Sequence, residues 1–117
     1  MTALLRTNLG NIQYVPLTAG SILTNPAATK SLIRGIVLFN GNTTVETVSL
    51  YNVPNSALAL GTAGVSNIFF TKGLAANETF FLDFAYPITL IGTNDSIQAS
   101  TTTASKVTVM LTGDQDA

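Results

Sequence analysis

The run Thr44-Val45-Glu46-Thr47-Val48-Ser49-Leu50-Tyr51-Asn52-Val53, stopped by Pro54, decides the fold class. Glu46, Val48 and Leu50 alternate with Thr47, Ser49 and Tyr51, the two-residue period of a strand with one buried face. Immediately upstream, Leu32-Ile33-Arg34-Gly35-Ile36-Val37-Leu38-Phe39 is rich in β-branched and large apolar residues and ends at Asn40-Gly41. That dipeptide accepts positive φ and favours a tight hairpin, so the two runs are expected to pair antiparallel.

The same pattern continues outward. Asn67-Ile68-Phe69-Phe70-Thr71, Asn77 to Phe84, Ile88-Thr89-Leu90-Ile91, Ser96 to Ser100 and Lys106 to Thr112 each read as a strand bounded by Gly, Pro, Asn or Asp. In the last of these Val107, Val109 and Leu111 share one face. Residues 1–30 carry Gly10, Pro16, Gly20, Asn25 and Pro26 at short intervals. They are expected to form an extended N-terminal arm or edge strand against a body of residues 31–113, with an acidic tail at 114–117. About eight short strands with no amphipathic helix predict an all-β sandwich or barrel.

Composition narrows the chemistry. There is no Cys, no His and no Trp, so disulfides, thiolate metal sites and the usual neutral-pH acid–base side chain are absent. Serines and threonines abound, yet no Gly-x-Ser-x-Gly elbow or Ser-x-x-Lys setting exists to activate one. Catalysis is not expected, and neither is a cofactor or a metal. Asp114 with Asp116, and Asp95 beside Asn94, fall short of the six to eight oxygen ligands calcium takes; they read as a solvated tail and a turn. Charged residues are only 9% of the chain, against roughly 25% in a typical domain. A net charge of −1 offers no means of holding a nucleic-acid backbone. No apolar run has the length of a secretory signal or a membrane span, so a soluble protein made in the cytoplasm is expected. Three sequons, at Asn42, Asn77 and Asn94, read as turn residues.

A weakly charged surface rich in Thr, Asn and Ser is cheap to desolvate, which suits contacts between subunits. The doubled phenylalanines Phe69-Phe70 and Phe80-Phe81 place large rings on both faces of their strands. The second ring of each pair, Phe70 and Phe81, either lies beneath the N-terminal arm or forms an exposed patch. In the loop from Pro54 to Gly64, Leu58 and Leu60 either tuck under the sandwich or dock on a partner. Tyr14, Tyr51 and Tyr86 are the residues that could stack on a sugar.

Five segments, Ile33 to Asn40, Val48 to Pro54, Asn77 to Phe84, Thr93 to Ala99 and Val107 to Gly113, follow in an order that resembles small phage virion structural proteins. The resemblance spans roughly two thirds of the chain and is one of pattern, with no invariant chemical motif. It implies an antiparallel β-sandwich, jelly-roll-like, that serves as a capsid cement or decoration protein. Such a protein sits on the capsid surface of the virion as a homotrimer and binds across major capsid protein subunits, without nucleic acid or membrane. Its expected contact residues here are Tyr14, Leu58, Leu60, Phe70 and Phe81. A tail, neck or fibre component, including a receptor- or glycan-binding module, is the alternative.

Overall fold

The computed structural model describes residues 4–9 and 11–116, in nine strands and one 3₁₀ turn at Val65–Asn67. The strands are β1 (Leu4–Asn8), β2 (Gln13–Tyr14), β3 (Gly20–Thr24), β4 (Lys30–Asn40), β5 (Glu46–Val53), β6 (Ile68–Leu74), β7 (Thr79–Leu90), β8 (Ser96–Thr101) and β9 (Val107–Asp116). They form two antiparallel sheets, ordered β1-β9-β4-β7 and β3-β8-β5-β6, with β2 beside β9 in the first. Since β1 and β2 both run along β9, they act as one broken strand, and the sandwich has eight.

One rule generates this topology. Leu4 pairs with Asp116, Ser31 with Leu90 and Leu50 with Phe70. In all the nested pairs, β1 and β2 with β9, β3 with β8, β4 with β7 and β5 with β6, the partners' numbers add to between 118 and 122. The chain is a single long hairpin folded about residue 60 and rolled into two layers. The further pairings β4–β9 and β5–β8 stitch the rolled ribbon into sheets. This is the jelly-roll order. Its crossings between layers gather the loops at two ends: 25–29, 54–67 and 91–95 at one, 15–19, 41–45, 75–78 and 102–106 at the other.

The core lies between the sheets. Ile33, Ile36 and Leu38 of β4 and Val107, Val109 and Leu111 of β9 meet Val48 and Leu50 of β5 and Ile97 and Ala99 of β8, all fully buried. Complete burial of such a side chain is worth about 1.5–3 kcal/mol, so these residues carry most of the drive to roll the ribbon up.

Four expectations change or narrow here. First, β4 and β5 do not pair: they sit in different sheets, and residues 41–45 cross between them. Asn40 is the reason. It is fully buried, and its Nδ2 donates to the carbonyls of Thr44, Leu74 and Ala75 (2.9, 2.9 and 3.1 Å), while its Oδ1 accepts from the Asn42 amide (2.8 Å). Its side chain pins a corner, and its backbone has no positive φ. Second, of the two forms expected for residues 1–30, the described part takes that of edge strands built into the body. β1 and β3 are edge strands of opposite sheets, and Leu9, Val15, Ile22 and Leu23 are part of the core.

Third, the acidic tail is largely strand. Residues 114–116 continue β9, and Asp114 is buried against Arg34, Nε to Oδ2 at 2.6 Å. Fourth, the runs expected at 77–84 and 88–91 are largely joined in one strand, β7, which begins at Thr79 and ends at Leu90. Partners jump from Ile33–Ile88 to Gly35–Asp83, so the four residues Phe84 to Pro87 bulge opposite Arg34. Because β7 is an edge strand, the missing N–H of Pro87 is tolerated there.

Candidate interaction surface

Alternation along β4 puts Ile36 and Leu38 inward and leaves Val37 and Phe39 on the outer face of the first sheet. Cross-strand partners share a face, so the register extends this outer surface sideways. One row runs Tyr14, Thr108, Phe39, Thr79, and the next Met110, Val37, Phe81. Phe81 is 65% exposed, Tyr14 58% and Phe39 38%. At 150–250 Å² per aromatic side chain, these three rings offer about 300 Å² of exposed apolar area. That is comparable to the largest apolar patch of an ordinary monomer, about 300–600 Å², and about a third of what one partner buries in a stable interface. No charged residue stands in either row. Asp83 borders the patch in the next row, Thr112, Gly35, Asp83, and Arg34 lies beyond it.

The second sheet presents a different face. There the Ser49 and Thr71 hydroxyls lie 3.1 Å apart, and the Tyr51 hydroxyl is 3.2 Å from Ser100 Oγ. Hydroxyls cost less to bury than charges, but their burial gains less than that of apolar rings. Phe69 (39% exposed) and Ile68 (40%) on β6 are also apolar, so the difference is one of degree: the first sheet carries the larger exposed aromatic area.

The structure brings two of the five expected contact residues, Tyr14 and Phe81, onto one face. It adds Phe39, Val37 and Met110, which the sequence reading passed over; the signal was the unbroken apolar run 36–39, too continuous for a strand with one wet face. Phe70 goes elsewhere. It pairs with the buried Leu50, so it points inward and stacks on Phe80 with ring centroids 5.8 Å apart. Lys72 Nζ lies 5.1 Å from the Phe80 ring centroid and 3.9 Å from Glu78 Oε2. Together these residues close the open side of the sandwich between β6 and β7. Phe69 is the more exposed member of its pair. The three tyrosines are dispersed: Tyr14 on the first sheet, Tyr51 on the second, and Tyr86, 91% exposed, in the β7 bulge. They form no common platform for a sugar.

Leu58 and Leu60 remain exposed at the end where loops 25–29, 54–67 and 91–95 meet. Asp95, Asn55, Asn25 and Gln98 build that end. Asp95 Oδ1 accepts from the backbone N and Nδ2 of Asn55 (2.8 and 3.0 Å), and Oδ2 from the Gly92 amide (2.9 Å). The Asn55 amide, aided by those of Gly92 and Ile91, holds the Asp95 carboxyl below its usual range, against the opposing pull of desolvation. Asn25, fully buried, donates to the Thr29 and Gly92 carbonyls and accepts from the Ser31 hydroxyl. Gln98 Nε2 reaches the Gly61 carbonyl at 2.8 Å, and a side chain at Gly61 would collide with the Pro54 carbonyl. Within this clamped loop Ala57 and Leu58 adopt φ of 49° and 70°. Left-handed backbone at non-glycine residues costs about 1–3 kcal/mol each. Asn77 and Asn94 also have positive φ, as turn asparagines do.

At the other end Glu46 is buried with hydrogen-bond donors around it. The hydroxyls of Thr101 and Thr102 donate to Oε1 (3.2 and 3.0 Å), and Asn42 Nδ2 donates to Oε2 (3.0 Å). Burial pushes its carboxyl up, but the bonds from Asn42, Thr103, Thr102 and Thr101 outweigh it and the net shift is downward. Glu46 thus locks loops 41–45 and 102–106 together. Among the described residues no group of three or more acidic side chains is placed to hold a metal ion.

No family model matches this chain, and no curated protein matches it. Among solved structures it is similar to a chain of the "Structure of infectious bursal disease virus Gt strain", with 11% identity and a TM-score of 0.25. The match takes in 98% of this chain and 28% of that one, so the chain spans under a third of its length. At that TM-score the likeness carries no argument about role.

Proposed function

We propose that the chain is a virion structural protein of the capsid cement type. It lays the outer face of its first sheet on neighbouring major capsid protein subunits, as the homotrimer the resemblance implies. The observation that carries this reading is the cluster of exposed rings Tyr14, Phe39 and Phe81 on the outer face of the first sheet, in two rows with no charged residue. The strand pattern shared with phage virion proteins supplies the setting. The action is mechanical: each copy adds apolar contact across a joint, and many copies attached together hold the shell more firmly than any one contact does.

Shells of the parent virus assembled without this chain are the test. Wild-type protein is expected to bind them saturably. The double variant Phe39→Thr/Phe81→Thr keeps strand propensity at two exposed positions, so it melts with the wild type. Its affinity is expected to fall by about 100-fold, as loss of two central aromatic anchors implies. Equal binding by the variant removes the face from the account, and a wild type that binds no shell removes the capsid reading.

A further inference from the structure

We propose that the turn Ser56–Ala59 is a preformed apolar plug, with Leu58 at its tip, that seats in an apolar pocket of a neighbouring capsid subunit; this rests on the capsid reading above. The turn is the apex of the rolled ribbon. Ser56 and Ala59 exchange both backbone hydrogen bonds (2.8 and 3.0 Å), which makes it a two-residue hairpin with positive φ at both central positions. Asn-Gly or Asp-Gly suits that turn best. Here the positions hold Ala57 and Leu58, and a bulky residue with positive φ is a genuine outlier. Leu58 is 67% exposed, so no packing within the chain rewards its placement.

The turn is nonetheless held firmly. Leu58 donates its amide to Asn55 Oδ1 (3.2 Å) and accepts Asn94 Nδ2 at its carbonyl (2.7 Å), while Asp95 fixes Asn55. A strained, clamped backbone that holds a leucine out into water has met its ordering cost before any partner arrives. The chemistry of the surroundings selects the partner. Residues 54–67 and 91–95 contain no Lys, no Arg and no aromatic, and Asp95 is their one ionisable side chain. Nothing there would hold a phosphate or lipid headgroup, and nothing would stack on a sugar or base. Leu60 and Ile91, exposed on the same loops, extend the apolar surface around Leu58. What remains is a dry protein pocket.

The plug and the aromatic face are separate. Phe39 adjoins the Asn40 corner at one end of β4, and the plug stands at the other, roughly 30 Å away along an 11-residue strand. Two surfaces so placed let one copy touch two neighbouring subunits.

The variant Ala57→Asn/Leu58→Gly separates the plug from a merely structural turn, because its two effects have opposite signs. Relief of the turn is expected to raise Tm by about 4 °C. Loss of a buried leucine is expected to weaken binding to the undecorated shells by about tenfold or more. Leu58→Asn, which tolerates positive φ, is expected to weaken binding in the same way. Wild-type binding by both variants overturns the plug and leaves the aromatic face standing. A lowered Tm for the double variant overturns it too. Weakened binding here with normal binding by Phe39→Thr/Phe81→Thr would keep the plug and discard the face. No shell binding by the wild type discards both.

Discussion

Replacing Asp95 with Ala is expected to destabilise the protein by about 3 kcal/mol, lowering Tm by about 12 °C. The carboxylate is the main tie between loop 54–64 and loop 91–95, beside the single bond from Asn94 Nδ2 to the Leu58 carbonyl. Its two oxygens accept from two backbone amides and one side-chain amide, and hydrogen bonds to a charged group are worth about 1.5–3 kcal/mol each before non-additivity. Loss of the tie also frees Asn55, which holds the Leu58 amide. Asp95→Asn keeps the shape and one acceptor, so it is expected to recover about half of the loss. Urea melts measure this directly: the midpoint should fall with the slope unchanged. A midpoint within error of the wild type would show that the loops stand without Asp95.

Glu46 is expected to make the fold acid-sensitive. Its folded carboxyl lies below the ordinary 4.5 because Asn42 and the threonines outweigh its desolvation. A carboxyl lowered by folding contributes stability in full above its unfolded value. That contribution is lost as pH falls through the folded value. Glu46→Gln is expected to destabilise by about 2 kcal/mol at pH 7, where it exchanges a charged acceptor for an amide in the same cradle. As pH falls from 4.5 through the lowered folded value the contribution fades and the wild-type side chain becomes protonated, so the two proteins should converge. A constant difference between their denaturant midpoints from pH 7 to pH 3 would contradict this role.

Much of the fold was legible in the sequence because alternation is a local signal. Val48 and Leu50, and Val107, Val109 and Leu111, are buried as their spacing requires. What escaped depends on distant partners. Asn40-Gly41 carries the signature of a tight hairpin, yet the Asn40 amide is spent on carbonyls at 74 and 75, which no local reading contains. Phe69 and Phe70 are equivalent in sequence. Only the pairing of Phe70 with Leu50 turns that ring inward. Gly and Pro in the first thirty residues left an arm and an edge strand both open, and Val15 and Ile22 find core positions that exist only once β8 and β9 are in place. Asp95 looked like an ordinary turn residue, since its partner Asn55 is 40 positions away. The aromatic face was half visible: Phe81 and Tyr14 were expected contacts, while Phe39 joins them through register alone.

Hydroxyl-radical footprinting of the chain, free and bound to undecorated shells, tests most directly whether the outer face of the first sheet is the docking surface. Tyr14, Phe39, Phe81 and Met110 report on that face, and Tyr86, 91% exposed in the β7 bulge, reports on the free edge. Docking by the face predicts that oxidation of Tyr14, Phe39 and Phe81 drops at least several-fold on the shell while Tyr86 stays reactive. Protection of Tyr86 with the three face residues unchanged would contradict the account and place the contact at the sheet edge.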